Sequence, residues 1–132
     1  MKIYLVDDDA RLRDALRDVL LRAGHEVLVD SNGPTAVQQL RNWPADLIVC
    51  DMLMPDVEGF EVLRTLRRNA IHTKFIMISG ASGELSEFLE RAPLLGADAV
   101  LQKPFTPQEL LDLIDTVFAG ETRGARSVTG NG

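Results

Sequence analysis

The sequence has little of what marks several common classes of protein. Its single cysteine, Cys50, excludes an internal disulfide and a cysteine-rich metal site. Because Cys50 lies within an apolar run, we expect an inert core thiol. No apolar stretch approaches the roughly 20 residues that a membrane-spanning helix needs. The amino terminus does not resemble a signal peptide, since Lys2 leads directly into an apolar run that ends in three acids. These absences predict a cytoplasmic protein.

Positive charge is also in short supply. The formal net charge is −6, so no basic face is available to neutralise phosphates, and we expect no direct contact of this domain with nucleic acid or with a membrane. Four arginines share one segment, where they alternate with apolar positions and aspartates: Arg11, Arg13, Arg17 and Arg22. We interpret them as a solvated helix face. The sequence contains neither a glycine-rich dinucleotide loop nor a P-loop, which disfavours nucleotide binding.

Short apolar runs alternate with helical patterns along the chain. The runs at residues 3–6, 27–29, 47–50, 75–78 and 99–102 are typical of strands. Apolar residues at helical spacing predict five helices, at residues 12–23, 34–42, from about 59, 85–89 and from 107. Because parallel strands need crossover connections, this alternation predicts an α/β fold. We expect a doubly wound, flavodoxin-like parallel sheet of five strands in the order 2-1-3-4-5, with five helices.

One domain accounts for the whole of this pattern, and it spans residues 1–119. From Gly120 onward the composition changes to Gly, Thr, Arg, Ser and Asn, and no apolar periodicity remains. Residues 120–132 are therefore expected to be a disordered tail or the stump of a linker.

Polar side chains stand where four of the predicted strands end. They are Asp7 and Asp8 after the first strand, Asp51 after the third, Ser79 after the fourth and Lys103 after the fifth. In a doubly wound sheet, ligands bind outside the carboxyl ends of the strands. Three carboxylates brought together there repel one another, and a hard divalent cation such as Mg²⁺, or Mn²⁺ in its place, relieves the repulsion. The neighbouring Asp9 is expected to cap a helix instead of binding metal.

These residues resemble those of a bacterial response-regulator receiver domain of the chemotaxis-regulator type, over about residues 2–118. The matching features, in order, are Asp7-Asp8, Asp51-x-x-Met54-Pro55-x-x-x-Gly59, Ser79 and Lys103-Pro104-Phe105. The resemblance implies that Asp51 accepts a phosphoryl group from the phosphohistidine of a sensor histidine kinase, or from a phosphotransfer protein. It also implies that Asp8 and Asp51 bind Mg²⁺ directly, that Asp7 acts mainly through water, and that the backbone carbonyl of Leu53 is a further ligand.

The same resemblance implies a conformational switch. Ser79 would close onto the phosphoryl group, Lys103 would pair with it, and the Lys103–Pro104 peptide would be cis. Phosphorylation would then change the binding of a downstream effector or of the protein's own output domain. The resemblance also leaves open a phosphorylation-dependent homodimer. The domain would be no enzyme beyond its self-catalysed phosphorylation and dephosphorylation.

Two positions depart from the family pattern. Val100 stands three residues before Lys103, where the family often has Tyr or Phe, so the usual aromatic switch is absent. Gly80 follows Ser79, where alanine is common, and the glycine is expected to loosen that loop. Phosphorylation is expected to survive both changes.

Two other functions use similar residues. A haloacid-dehalogenase-type phosphatase also places a nucleophilic aspartate at a strand end, but its Asp-x-Asp motif continues with Thr or Val where this chain has Arg11. The chain also lacks a cap insertion and a late acidic pair. A receiver-like binding module that is never phosphorylated would be expected to have lost an acid, the serine or the lysine, and none is missing here.

Overall fold

A single parallel sheet forms the centre of the molecule. The computed structural model describes residues 1–52, 59–80 and 96–122. The strands are β1 (Lys2–Val6), β2 (Glu26–Asp30), β3 (Leu47–Asp51), β4 (Lys74–Ser79) and β5 (Ala99–Gln102). Their order is β2-β1-β3-β4-β5, and every neighbouring pair is parallel. The predicted sheet, its strand order and its flavodoxin-like architecture are confirmed.

In the described part of the chain, three helices connect strands and a fourth follows β5. They are α1 (Ala10–Arg22), α2 (Ala36–Asn42), α3 (Gly59–Arg68) and α4 (Pro107–Thr122). The helix predicted at residues 85–89 lies outside the described residues, so a fifth helix stays a prediction. Helix α4 continues past Gly120 to Thr122, and the division of the chain at residue 119 also stays a prediction. No helix within the described ranges is long and apolar enough to cross a membrane.

The sheet is apolar on both faces because helices cover both of them. Successive strand residues point to opposite faces. On the face of α2 and α3 the buried cluster includes Tyr4, Ile48, Cys50, Phe75, Leu63 and Leu66. On the face of α1 and α4 it includes Leu5, Val49, Ile76, Leu16, Leu20 and Ile114. Cys50 is fully buried, as expected for a core thiol, and burial raises its pKa.

Local signals set the bounds of α1. The Oδ1 atom of Asp9 accepts hydrogen bonds from the backbone N–H groups of Arg11 (3.0 Å) and Leu12 (3.3 Å), which confirms the predicted helix cap. At the other end, Gly24 has a φ of +94°, a left-handed conformation that suits glycine and ends the helix. The cap places the start of α1 directly after the acidic residues that follow β1.

Candidate functional site

The polar residues predicted from four strand ends meet at one edge of the sheet. Asp51 and Ser79 are the last residues of β3 and β4, Asp7 directly follows β1, and Lys103 directly follows β5. Within the described ranges, the buried polar or charged residues are Asp7, Asp51 and Ser79 alone. Asp8 is exposed. The site therefore has a buried floor formed by strand ends and an open side at Asp8.

The three carboxylates form a compact cluster. Oxygen atoms of Asp7, Asp8 and Asp51 lie within 4.8 Å of one another. Asp7 Oδ1 accepts a hydrogen bond from the N–H of Asp9 at 2.9 Å, whereas the buried Asp7 Oδ2 has no partner among the described residues. A buried carboxylate oxygen without a partner is costly, and a hard cation would supply one. The donor set thus fits Mg²⁺; Leu53, the further ligand implied by the resemblance, lies outside the described residues.

Burial and mutual repulsion raise the pKa of two of these carboxyl groups. The pKa of Asp51 is raised to about 6, first by burial and then by the charge of Asp7, while Lys103 opposes the shift. Burial is also the main cause of the raised pKa of Asp7. A divalent cation between the carboxylates favours their ionised forms and lowers both pKa values.

Lys103 lies close to the carboxylate of Asp51. Its Nζ is 3.6 Å from Asp51 Oδ1, and the side chain of Asp51 is 8% exposed while that of Lys103 is 31% exposed. The backbone N–H of Lys103 donates to the carbonyl of Ser79 at 2.7 Å, which ties the end of β5 to the end of β4. The Lys103–Pro104 peptide is cis, as the resemblance implied.

The Ser79 hydroxyl is directed to a local partner. Its Oγ donates to the carbonyl of Gly80 at 3.2 Å. The structure brings Ser79 to the edge where Asp51 lies, but it gives no hydrogen bond between these two side chains. Its contact with a phosphoryl group therefore stays a prediction.

The first residue of α3 packs against the end of β3. Gly59 N–H donates to the carbonyl of Met52 at 2.6 Å. A Cβ atom at Gly59 would lie 2.6 Å from the backbone oxygen of Asp51 and 2.8 Å from Met77 Sδ. Both distances are shorter than a van der Waals contact. Gly59 was predicted from the motif, and the structure supplies the reason for it: only glycine permits this approach.

Arg13 is a residue near the site that sequence reasoning missed. Its Nη1 donates to the backbone carbonyl of Asp7 at 2.9 Å, and its side chain is half-buried. The other three arginines of the segment are exposed, so the interpretation as a solvated face holds for them and is wrong for Arg13. The available signal was its place in the first turn of the helix that follows the acidic residues.

A second missed contact joins β1 to β2. The Tyr4 hydroxyl donates to Asp30 Oδ2 at 2.7 Å, and burial, followed by this bond, raises the pKa of Tyr4. The backbone carbonyl of Asp30 accepts from the N–H of Asp7 at 3.1 Å. Asp30 thus supports the strand end that carries Asp7. The apolar run around Tyr4 gave no sign of this bond.

The structure shows the surroundings of the two residues that depart from the family pattern, Val100 and Gly80. Val100 is half-buried and packs against the core cluster on the face of α2 and α3. A Cβ atom placed on Gly80 would meet nothing within 4 Å. Space around Gly80 therefore does not require glycine.

Comparison with known proteins agrees with this geometry. A sequence model of the family described as the response regulator receiver domain matches residues 3–115. The chain belongs to this family. Receiver domains bind Mg²⁺ at an acidic pocket and act with a kinase and an effector output, and the chain has such an acidic cluster. The phosphatase and binding-module alternatives are not favoured.

Relatives of this receiver domain include longer regulatory proteins. The alkaline phosphatase synthesis transcriptional regulatory protein PhoP of Bacillus subtilis is 33% identical over 109 residues, which cover 83% of this chain and 45% of that protein. The cell cycle response regulator CtrA of Brucella ovis is 30% identical over 132 residues, which cover 100% of this chain and 56% of that protein. The chain spans about half the length of the curated relatives it matches.

A solved receiver structure has the same fold. The CheY-like response regulator receiver domain protein of Methanospirillum hungatei superimposes with a TM-score of 0.79 and 32% sequence identity. The match covers 93% of this chain and 98% of that one. The fold predicted from strand alternation is thus also that of a solved relative.

Proposed function

We propose that this receiver domain accepts a phosphoryl group on Asp51 from a phosphorylated histidine kinase or phosphotransfer protein in the cytoplasm. The observation that carries the proposal is the setting of Asp51. Its buried carboxylate lies 3.6 Å from Lys103 Nζ and within 4.8 Å of the carboxylate oxygens of Asp7 and Asp8. A buried acid with a raised pKa, grouped with charged partners at an open edge, is typical of a reactive group.

The acidic residues would hold Mg²⁺, or Mn²⁺ in its place. Asp8, Asp51 and the backbone carbonyl of Leu53 would bind the ion directly, and Asp7 mainly through water. The unpartnered Asp7 Oδ2 supports a cation at this position. When bound, the ion neutralises charge on the carboxylates and on the phosphoryl oxygens, which lowers the cost of bringing two anions together.

The transfer itself uses Asp51 as the nucleophile. One Asp51 carboxylate oxygen bonds to phosphorus while the bond from phosphorus to the donor histidine nitrogen breaks. The electron pair of that broken bond stays with the imidazole, which takes a proton from solvent. Lys103 offsets negative charge on the phosphoryl oxygens, and the Ser79 hydroxyl donates to one of them after leaving the Gly80 carbonyl.

The phosphorylated form would differ in conformation and in partner binding. Shifting an equilibrium from 1:99 to 99:1 takes about 5.5 kcal/mol, and several charge-assisted hydrogen bonds to one phosphoryl group supply free energy of that order. Because the chain spans about half of its longer relatives, the output is either a domain of the same protein or a separate effector. The domain turns over no substrate besides its own acyl phosphate.

The test is intact-protein mass spectrometry after incubation with acetyl phosphate, with and without Mg²⁺. We expect one Mg²⁺-dependent phosphoryl adduct, which Asp51→Asn abolishes while the fold persists. Asp14→Asn makes the same chemical change at an exposed aspartate of α1 and should leave the adduct intact. Full phosphoryl incorporation in Asp51→Asn would refute the site. Steady release of phosphate without an adduct would indicate a phosphatase, and neither adduct nor turnover, also with phosphorylated kinases, would indicate a binding module.

A further inference from the structure

Arg13 reaches from helix α1 to the backbone that carries the acidic residues. Its Nη1 donates to the carbonyl oxygen of Asp7 at 2.9 Å, in a half-buried position. A hydrogen bond from an ionised donor is stronger than one between neutral groups, and half-burial limits the competition from water. The contact therefore restrains the carbonyl of Asp7.

The other bonds that hold residues 7–9 are made by backbone donors. Asp7 N–H donates to the Asp30 carbonyl at 3.1 Å, and Asp9 N–H donates to Asp7 Oδ1 at 2.9 Å. Among the described residues, Arg13 alone donates from a side chain to these residues. Its removal would leave the Asp7 carbonyl without this restraint while the rest of the turn keeps its bonds.

Asp8 depends on that restraint more than its neighbours do. Its carboxylate is exposed and, within the described ranges, takes part in no hydrogen bond or ion pair. Because a peptide unit is planar, holding the carbonyl of Asp7 also sets the direction of the Asp8 N–H and the place of the Asp8 Cα. The Arg13 contact thus helps to fix the position of the Asp8 Cα, and with it the origin of the Asp8 side chain, relative to Asp51.

We propose that Arg13 is a positioning residue for the metal site: it orients the peptide between Asp7 and Asp8 so that the Asp8 carboxylate is held ready for Mg²⁺. The inference rests on the proposed function, since it takes the ion to bind at Asp7, Asp8 and Asp51. Arg13 also carries a positive charge that repels a cation. Loss of the charge alone strengthens Mg²⁺ binding, whereas loss of the positioning contact weakens it, so the two effects have opposite signs.

The experiment compares Arg13→Met with Arg17→Met. Methionine keeps the unbranched apolar stem and the helix propensity but removes the donor and the charge. Arg17 lies exposed on the same helix, so its substitution is a matched control. Mg²⁺ affinity is read from the backbone amide NMR shifts of Asp8 and Asp9. We expect Arg13→Met to weaken Mg²⁺ binding about 3- to 10-fold and Arg17→Met to leave it unchanged or slightly tighter.

Arg13→Lys separates the contact from the charge. Lysine can still donate one bond to the Asp7 carbonyl, so we expect Mg²⁺ affinity between those of the wild type and Arg13→Met. If Arg13→Met does not fold, Arg13→Lys against Arg17→Lys decides the question by the same comparison.

Three results would overturn the inference. A folded Arg13→Met protein that binds Mg²⁺ as tightly as the wild type, or more tightly, would show that the contact does not position Asp8. Equal weakening in Arg13→Met and Arg17→Met would show that the effect does not come from the Arg13 contact, because Arg17 makes no such contact among the described residues and loss of charge alone strengthens binding. Absence of Mg²⁺ binding in the wild type would remove the proposed metal site as well, whereas the first two results leave that site intact.

Discussion

The ionised carboxylate of Asp51 lies in a buried position that disfavours negative charge. Burial and the neighbouring Asp7 raise its pKa to about 6 from an ordinary value of 3.8. Since each pKa unit corresponds to about 1.4 kcal/mol, ionising Asp51 at neutral pH costs the metal-free fold on the order of 3 kcal/mol. Reactive groups are often kept at such a cost to stability. The protein would be more stable without this carboxylate and would lose its candidate nucleophile.

We therefore predict that Asp51→Asn stabilises the metal-free protein at neutral pH. The folded pKa lies above the unfolded one, so the favourable contribution of protonated Asp51 is complete below about pH 4 and is lost as the pH rises through about 6. In urea unfolding with a chelator at about pH 7.5, the free energy of unfolding of Asp51→Asn should exceed that of the wild type by about 1–3 kcal/mol. This difference in stability should become smaller toward pH 5. Mg²⁺ should stabilise the wild type more than the variant.

The matched control for this prediction is Asp14→Asn. Asp14 is exposed on α1, so its substitution should change the free energy of unfolding by less than about 0.5 kcal/mol at either pH. An Asp51→Asn protein that is less stable than the wild type at neutral pH would contradict the raised pKa.

At the scale of elements, helix α3 is attached firmly at both ends. Its first residue, Gly59, packs against the backbone at the end of β3. Near its last turn, Arg67 donates to the carbonyls of Ile71 and Thr73, each at 2.9 Å, and to that of Gly96 at 2.8 Å. The position of α3 against the sheet is thus set by contacts with the backbone as well as by its apolar side chains.

Gly59→Ala should disturb this attachment. The added Cβ would meet the backbone oxygen of Asp51 at 2.6 Å and the Cα of Met52 at 2.9 Å, and backbone atoms yield less readily than a flexible side chain. We expect a loss of about 1–3 kcal/mol in the free energy of unfolding and slower phosphorylation by acetyl phosphate. Gly80→Ala is the control for stability, because its Cβ would meet nothing within 4 Å. Equal unfolding midpoints for the two variants would contradict the close approach.

At the scale of the whole molecule, chemistry is confined to one edge of the sheet. In the described residues, every buried polar or charged side chain lies at the carboxyl ends of the strands, and apolar clusters fill both faces beneath them. We therefore expect a change at Asp51 to reach other surfaces through the strand ends and the loops that follow them. Lys103 is placed for this, since it contacts Asp51 through its side chain and Ser79 through its backbone.

We predict that Lys103→Ala separates phosphorylation from switching. The variant keeps Asp51 and the acidic cluster, so it should still take up some phosphate from acetyl phosphate. Without the ammonium group, the phosphoryl group loses one charge-assisted contact that favours the active conformation, and NMR shifts in α4 should change less than in the phosphorylated wild type. Lys103→Arg, which keeps the charge, should restore part of the response. An unchanged response in Lys103→Ala would count against the role of the lysine.

Most of the fold and the main members of the candidate site could be predicted from the sequence. Strands covered on both faces leave continuous apolar runs, and parallel strands bring their polar ends to one edge, so Asp7, Asp51 and Lys103 were found together. The contacts of Arg13 and Arg67 could not be predicted in this way. Both arginines donate to backbone carbonyls. Every residue has one, so the sequence does not show which residue accepts the bond. The bond between Tyr4 and Asp30 was hidden for a related reason, since an aromatic residue in an apolar run does not reveal where its hydroxyl points.

The internal position of β1 in the sheet has a consequence during protein synthesis. β1 is the first strand of the sheet to be translated, yet it lies between β2 and β3, and the edge strand β5, which precedes Lys103, comes last. Chains grow at about 5–20 residues per second, so the acidic residues leave the ribosome well before the lysine that offsets their charge. A chain interrupted before Lys103 contains Asp51, the proposed phosphoryl acceptor, but lacks part of the candidate site around it. Truncated translation products, which also lack α4 and its part of the core, are therefore expected to be poor phosphoryl acceptors.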